Sequence, residues 1–222
     1  MKFNTYSIIA RCRRTGCIGG AAASYYPGLG AFSPYIRQNY GVIASQGWVN
    51  PFLNEIVMRS IMQGASAEEA LHKALLEDNG KELRQISVVD CRGNSAAYTG
   101  EGNDPVKMHL RGDGYVIAGN LLTSKDVLYA AEQAFLDSEE EPLPDRIMKA
   151  MMAADRVGGD ARGKMAAVIR VDKIVGFPYI DFRIDDHPQA VQELNKLYEK
   201  HKQHIFDTYD DWVERVKKGI KD

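Results

Sequence analysis

Apolar positions along this chain change their spacing several times, and each change marks an element. Thr5-Tyr-Ser-Ile-Ile-Ala-Arg-Cys12 is β-branched and aromatic and runs into the polar turn Arg13-Arg14-Thr15-Gly16, which predicts a strand. Cys17 to Ser24, reading CIGGAAAS, predicts the returning strand of a hairpin. Its small residues imply that something packs closely on that backbone. Pro27, Gly28, Gly30 and Pro34 mark an irregular loop, and Tyr40 to Gln46 predicts a third strand ended by Gly47.

Helical spacing takes over at Asn50-Pro51, where proline suits a first helical position. Phe52, Ile56, Ile61 and Met62 then form an apolar face. Ser66-Ala-Glu-Glu69 is a capping-box pattern, followed by Ala70, Leu71, Ala74 and Leu75 at helical spacing. Two strands, Gln85 to Asp90 and Asn94 to Thr99, flank the turn Asp90-Cys-Arg-Gly93. A loop from Gly100 to Gly114 and a short strand, Tyr115 to Ala118, come next. Helices are predicted from about Ser124 to Leu136 and from about Asp145 to Asp155, separated by an acidic linker. Strands from Lys164 to Val171 and Tyr179 to Ile184 precede a final helix opened by Asp186-His187-Pro188. A charged tail carries Trp212, Val216 and Ile220 on one apolar face. The expected organisation is one domain over residues 1–204 with a charged helical extension over 205–222. This order fits an α+β fold in which two mainly antiparallel sheets carry paired helices outside. A single-sheet α+β layer has the same periodicity.

Composition narrows the function classes. With 222 residues, 45% hydrophobic and 26% charged, the chain is an ordinary folded protein, and disorder over most of its length is excluded. A net charge of −2 disfavours nucleic acid as a partner, because phosphate binding usually needs a basic excess. The charge is uneven, however. Lys2, Arg11, Arg13, Arg14 and Arg37 give residues 1–54 a charge of +5 with no acid, so the remainder carries −7. A pocket in that segment would mildly prefer an anionic or carboxylate-bearing ligand. No run approaches the roughly 20 apolar residues of a membrane span, and the start lacks a signal-peptide pattern. Cys12, Cys17 and Cys91 lack a C-x-x-C pair, which argues against a disulfide framework or structural zinc and fits a reducing cytoplasm.

Two clusters have double readings. Asp185-Asp186-His187-Pro188 offers two carboxylates and an imidazole to a divalent metal, but acids just before a helix also read as its cap, and that is the favoured reading. Gln46-Gly-Trp-Val-Asn50 places an aromatic between amides, with Trp48 either lining a pocket or filling core.

Four segments together resemble a largely bacterial family, domain of unknown function 1028. They are Thr5-Tyr-Ser-Ile-Ile-Ala-Arg11, Gly119-Asn120-Leu121-Leu122, Gly158-Gly-Asp-Ala-Arg-Gly-Lys164 and Asp181-Phe-Arg-Ile-Asp-Asp-His-Pro188. Arg84-Gln85 and Ala96-Ala-Tyr-Thr-Gly100 also look like that family. The resemblance implies the N-terminal nucleophile (Ntn) hydrolase fold, a four-layer αββα sandwich. It implies an amide-bond hydrolase acting on a small amide or peptide-like substrate, without cofactor or metal, and a homo-oligomer. Thr5 would be the nucleophile, with its own free amine as base. Gly47 resembles an oxyanion-hole glycine, Asn120 a second polar site position, and Asp160 an aspartate near the amine. Arg11, Gln46, Trp48 and Arg162 are the matching candidates for substrate binding. A catalytically silent protein that binds a metabolite or assembles with partners is the alternative. Two departures bear on that choice. Met1 to Asn4 precede Thr5, so in the intact chain its nitrogen is an amide, and Thr5 also reads as an ordinary β-former at a strand start. The lysine used by proteasomes is not evident in Ser33 to Tyr40, and Arg37 cannot shuttle protons at neutral pH.

Overall fold

The computed structural model describes residues 2–173 and 177–219. Met1 and Ile220, both used above, lie outside the described residues. In chain order the strands are β1 (Lys2–Phe3), β2 (Thr5–Arg11), β3 (Ile18–Ser24), β4 (Tyr35–Arg37), β5 (Gly41–Trp48), β6 (Arg84–Asp90), β7 (Ser95–Thr99), β8 (Met108–Gly112), β9 (Tyr115–Gly119), β10 (Ala166–Asp172) and β11 (Ile180–Ile184). The helices are α1 (Pro51–Met62), α2 (Ala67–Leu76), α3 (Asp126–Leu136), α4 (Leu143–Arg156) and α5 (Ala190–Lys217). One sheet has the order β1-β5-β6-β7, with β4 also on β5; the other runs β11-β10-β3-β2-β9-β8. All the pairings within both sheets are antiparallel.

Side-chain alternation explains how these sheets stack. On β2, Tyr6, Ile8 and Ala10 point to one face and pack with Leu128, Ile147, Met151 and Leu194 from α3, α4 and α5. Ile9 points the other way and joins Ile18, Val42, Ala44, Val89 and Val116, residues of both sheets. Helices α1 and α2 cover the far side of the first sheet through Leu53, Val57, Ala70 and Leu71 against Ile43, Ile86 and Val88. The small residues of β3 have a clear cause: a Cβ at Gly20 would stand 2.6 Å from the Ile8 carbonyl oxygen.

Local signals set the helix starts. Asn50 accepts a hydrogen bond from the Phe52 amide, and Ser66 with Glu69 forms the capping box. Elsewhere the structure departs from the sequence expectation. Strand β8 occupies part of the loop expected from Gly100 to Gly114, closing a hairpin onto β9 through Asp113-Gly114. Gly47 lies inside β5 and does not end it. Helix α5 starts at Ala190, so Asp185 and Asp186 do not cap it; the Gln189 amide instead donates to Nδ1 of His187. Among the described residues no cluster of three or more His, Cys, Asp and Glu is set to hold a metal ion. Helix α5 continues unbroken through residue 204, because Phe206 and Tyr209 pack on Tyr179. No helix among the described residues is long and apolar enough to cross a membrane.

Candidate functional site

Residues 2–4 step from one sheet to the other. Lys2 and Phe3 pair with Trp48 and Gly47 on β5, whereas Thr5 opens β2 in the second sheet opposite Ser24. The peptide bond between Asn4 and Thr5 therefore lies where the two sheets meet, and Thr5 is 0% exposed.

The carbonyl oxygen of that bond is held from two sides. Ser24 Oγ donates to it at 2.7 Å and Arg162 Nη2 at 3.1 Å. The guanidinium is itself fixed by Asp160, to which its Nη2 donates at 2.7 Å and its Nε at 3.1 Å. The Asp160 side chain is fully buried, and its Oδ2 also accepts from the Tyr25 amide at 3.4 Å. A paired, buried carboxylate of this kind locks the arginine fork in one orientation. Thr5 Oγ1 donates to the Phe3 carbonyl at 3.1 Å.

A second set of polar groups holds the next peptide. The Thr5 carbonyl accepts from the Asn120 amide at 3.1 Å and from Gln46 Nε2 at 3.3 Å. Gln46 Oε1 accepts from Ser7 Oγ, and Gln46 Nε2 donates to Gln85 Oε1 at 2.7 Å. Asn120 Nδ2 reaches the same Gln85 oxygen at 2.8 Å. Gln85 Nε2 continues to Thr99 Oγ1, which contacts Nδ1 of His109 at 2.9 Å. Burial, helped by Arg111, pushes the His109 imidazole below its ordinary value, so the neutral ring is favoured. The turn that carries Asn120 is strained, with Leu121 at φ +52°.

Gly47 has a steric reason to be glycine. Its φ is +75°, and a Cβ there would stand 2.1 Å from Asn103 Oδ1. Trp48, 44% exposed, forms the outer wall, with the Lys2 ammonium 5.8 Å from its ring centre.

Gln46, Asn120, Asp160 and Arg162 thus hold the two peptides on either side of Thr5, and Gly47 and Trp48 pair with the residues just before them. Arg11 does not join them. It ends β2, six residues and about 20 Å along the strand from Thr5. Its neighbours in sequence turn outward: Arg13 pairs with Asp113 and Arg14 donates to the Glu140 carbonyl. Arg37 stacks on the Tyr35 ring at 5.0 Å in β4. The expected concentration of positive charge at the site is therefore corrected to one fixed guanidinium, Arg162, with Lys2 nearby. Sequence reasoning missed Ser24, Gln85 and Asp104. Ser24 was visible as the residue directly opposite Thr5 across the hairpin; Gln85 lies in a segment that resembles the family but was given no role, and Asp104 carries no local signal.

A family model described as "Family of unknown function (DUF1028)" matches residues 5–194. The chain belongs to this family. The crystal structure of protein SPO2555 from Silicibacter pomeroyi, of the same family, is 32% identical and superposes with a TM-score of 0.82, covering 89% of this chain and 86% of that one. Anbu (ancestral beta-subunit) from Yersinia bercovieri is 15% identical with a TM-score of 0.46, covering 91% and 97% of the two chains. No curated protein matches the chain.

Proposed function

We propose that this member of the family is an amide-bond hydrolase of the Ntn type, built on a four-layer αββα sandwich, with Thr5 as its nucleophile once residues 1–4 are released. The observation that carries the reading is the double grip of Ser24 Oγ and Arg162 on the carbonyl that acylates Thr5. Donors fixed on a carbonyl stabilise the oxyanion formed when it is attacked, by about 3–4 kcal/mol each in studied hydrolases.

Attack by Thr5 Oγ1 on the Asn4 carbonyl carbon closes a five-membered ring, so the nucleophile is always within reach. The Oγ1–C bond forms, the C–N bond to Thr5 breaks, and the hydroxyl proton passes to the freed amine. Water then hydrolyses the ester, leaving an Asn4 carboxylate and a free Thr5. The amine, with a pKa of about 8, can then take the hydroxyl proton during attack on an incoming amide. Ser24 and Arg162 remain in place to hold the incoming carbonyl, while Gln46, Gln85 and Asn120 keep Thr5 in register.

The test is the intact mass of protein purified from its native host, together with hydrolysis of an acylated anilide panel. The expected result is a chain beginning at Thr5 that turns over at least one anilide. Arg162→Met should slow release of residues 1–4 by about 100-fold, and Thr5→Ala should stop it. A full-length mass in protein that hydrolyses amides would sink the reading. A second reading, a silent binding or assembly protein, is favoured by the depth of the same segment: Phe3 is 1% exposed. A full-length mass without hydrolysis supports that alternative.

A further inference from the structure

We infer that the cleft over β5, once residues 2–4 have left it, binds the acyl side of an extended peptide with a cationic, an aromatic and a small amide side chain, in that order toward Thr5. This rests on the reading of Thr5 as the nucleophile freed from Asn4. The chain's own segment is the template, because it lies in the cleft as a strand with its last carbonyl against the nucleophile.

Strand geometry separates the three side chains. Lys2 and Asn4 share one face and Phe3 takes the other. On the first face stands Asp104, which receives Lys2 Nζ at 2.6 Å and Asn4 Nδ2 at 2.6 Å. One carboxylate thus selects donors at two positions, and the Trp48 ring adds a face for the cation. On the opposite face Phe3 fills an apolar cavity formed by Ala22, Leu29, Ala166 and Val168. Its ring meets Tyr26 edge-on at 4.6 Å between centres and Phe32 at 5.1 Å. Tyr26, Phe32 and Trp48 are themselves exposed, an aromatic rim that a departing segment would uncover further. The backbone needs no new partner either, since the register Lys2–Trp48 and Phe3–Gly47 already supplies one strand edge. An acidic or small side chain in place of lysine or phenylalanine would meet Asp104 or leave the cavity empty.

The product-like tripeptide acetyl-Lys-Phe-Asn, with a free carboxylate, is the probe. Calorimetry on native protein whose mass begins at Thr5 should show it binding about tenfold or more tightly than acetyl-Glu-Phe-Asn and acetyl-Lys-Ala-Asn. Asp104→Asn, made in the full chain before release, should abolish the preference for Lys over Glu while leaving the preference for Phe. Equal binding of all three peptides, or none, overturns the inference. Hydrolysis of acetyl-Lys-Phe-Asn anilide is scored separately: discriminating binding without hydrolysis keeps the cleft and removes Thr5 as nucleophile. Should the native protein retain residues 1–4, the nucleophile reading falls. The cleft is then tested on the full chain carrying Lys2→Gly and Phe3→Gly. There, acetyl-Lys-Phe-Asn must raise the melting temperature more than the other two peptides, and a shift equal for all three overturns the inference.

Discussion

The space between the two sheets has two ends that obey opposite rules. At one end Ile9, Ile18, Val42, Val89 and Val116 meet without a polar atom among their side chains. At the other, on the same strands β2, β5, β6 and β9 extended by a few residues, Thr5, Ser7, Gln46, Gln85 and Asn120 fill the gap with amides and hydroxyls. Both are equally sealed from water. A dry end needs only matching volumes, whereas a buried polar end is stable only if its donors and acceptors are placed correctly. Gln46 and Asn120 hold the Thr5 carbonyl directly, and Ser7 and Gln85 hold Gln46 and Asn120. Stability and candidate chemistry are thus divided along a single strand.

The division can be broken most forcefully at its dry end. Ile9→Ala empties fully buried volume and should lower stability by about 2–5 kcal/mol, read as a shift in denaturant midpoint. Release of residues 1–4 in the fraction that stays folded should be unchanged. A variant that folds but no longer releases the segment would show that the two ends are coupled. At the polar end, Gln85→Leu keeps the volume but removes the shared acceptor of Gln46 and Asn120. The expected loss is about 2–3 kcal/mol, since two buried donors lose their partner. Here release should slow as well, because the Thr5 carbonyl loses its fixed neighbours. Thr5→Ala should be the mildest of the three for stability, about 1 kcal/mol or less, since its hydroxyl makes one local hydrogen bond. It should nevertheless stop release altogether. A Thr5→Ala chain that still begins at residue 5 would place the cutting agent outside this protein.

The same contrast explains what could be read in the sequence. The dry end and the helices follow periodicity, so β2, β3, β5 and β6 and the caps at Asn50 and Ser66 were legible within a residue or two. Thr5, Asn120, Asp160 and Arg162 were reached through motif resemblance. Their convergence depends on β2 lying between β3 and β9, which no local pattern encodes. Gln85 looked like one more strand residue, because its role exists only when Gln46 and Asn120 arrive from other strands. Strand β1 was invisible for a different reason: two residues carry no period, and Phe3 is buried by strands β3 and β10 together with the loop bearing Tyr26, Leu29 and Phe32. Strand β8 was missed despite the Asp113-Gly114 turn, a usable hairpin signal overlooked among the surrounding glycines. The arginines at residues 11, 13 and 14 misled, since charge close in sequence to Thr5 lies at the opposite end of its strand.

The smallest effect concerns acid. Asp78 is held below its ordinary value, first by its hydrogen bond from Arg84, and it lies outside the polar seam. Asp104 is also held below its ordinary value, first by Lys2 and then by Asn4 after the opposing effect of burial. For both carboxyls the folded state binds a proton less readily than the unfolded chain does. The stability they contribute is therefore fully present above the unfolded value near 4 and is lost as pH falls through the lower folded value. The Asp104 contribution is about 1 kcal/mol or less, because Lys2 and Asp104 are partly exposed and solvent weakens such pairs. The two differ in what sustains them. Arg84 stays in the chain, whereas under the proposed release Lys2 and Asn4 would leave with the segment. Urea midpoints measured between pH 5 and pH 3 should therefore fall less steeply for the chain beginning at Thr5 than for full-length Thr5→Ala. Asp78→Asn should flatten both curves by the same amount. Equal slopes in the two chains would mean that Asp104 finds another cation after release, and the seam would then keep its charge balance without the segment that fills it.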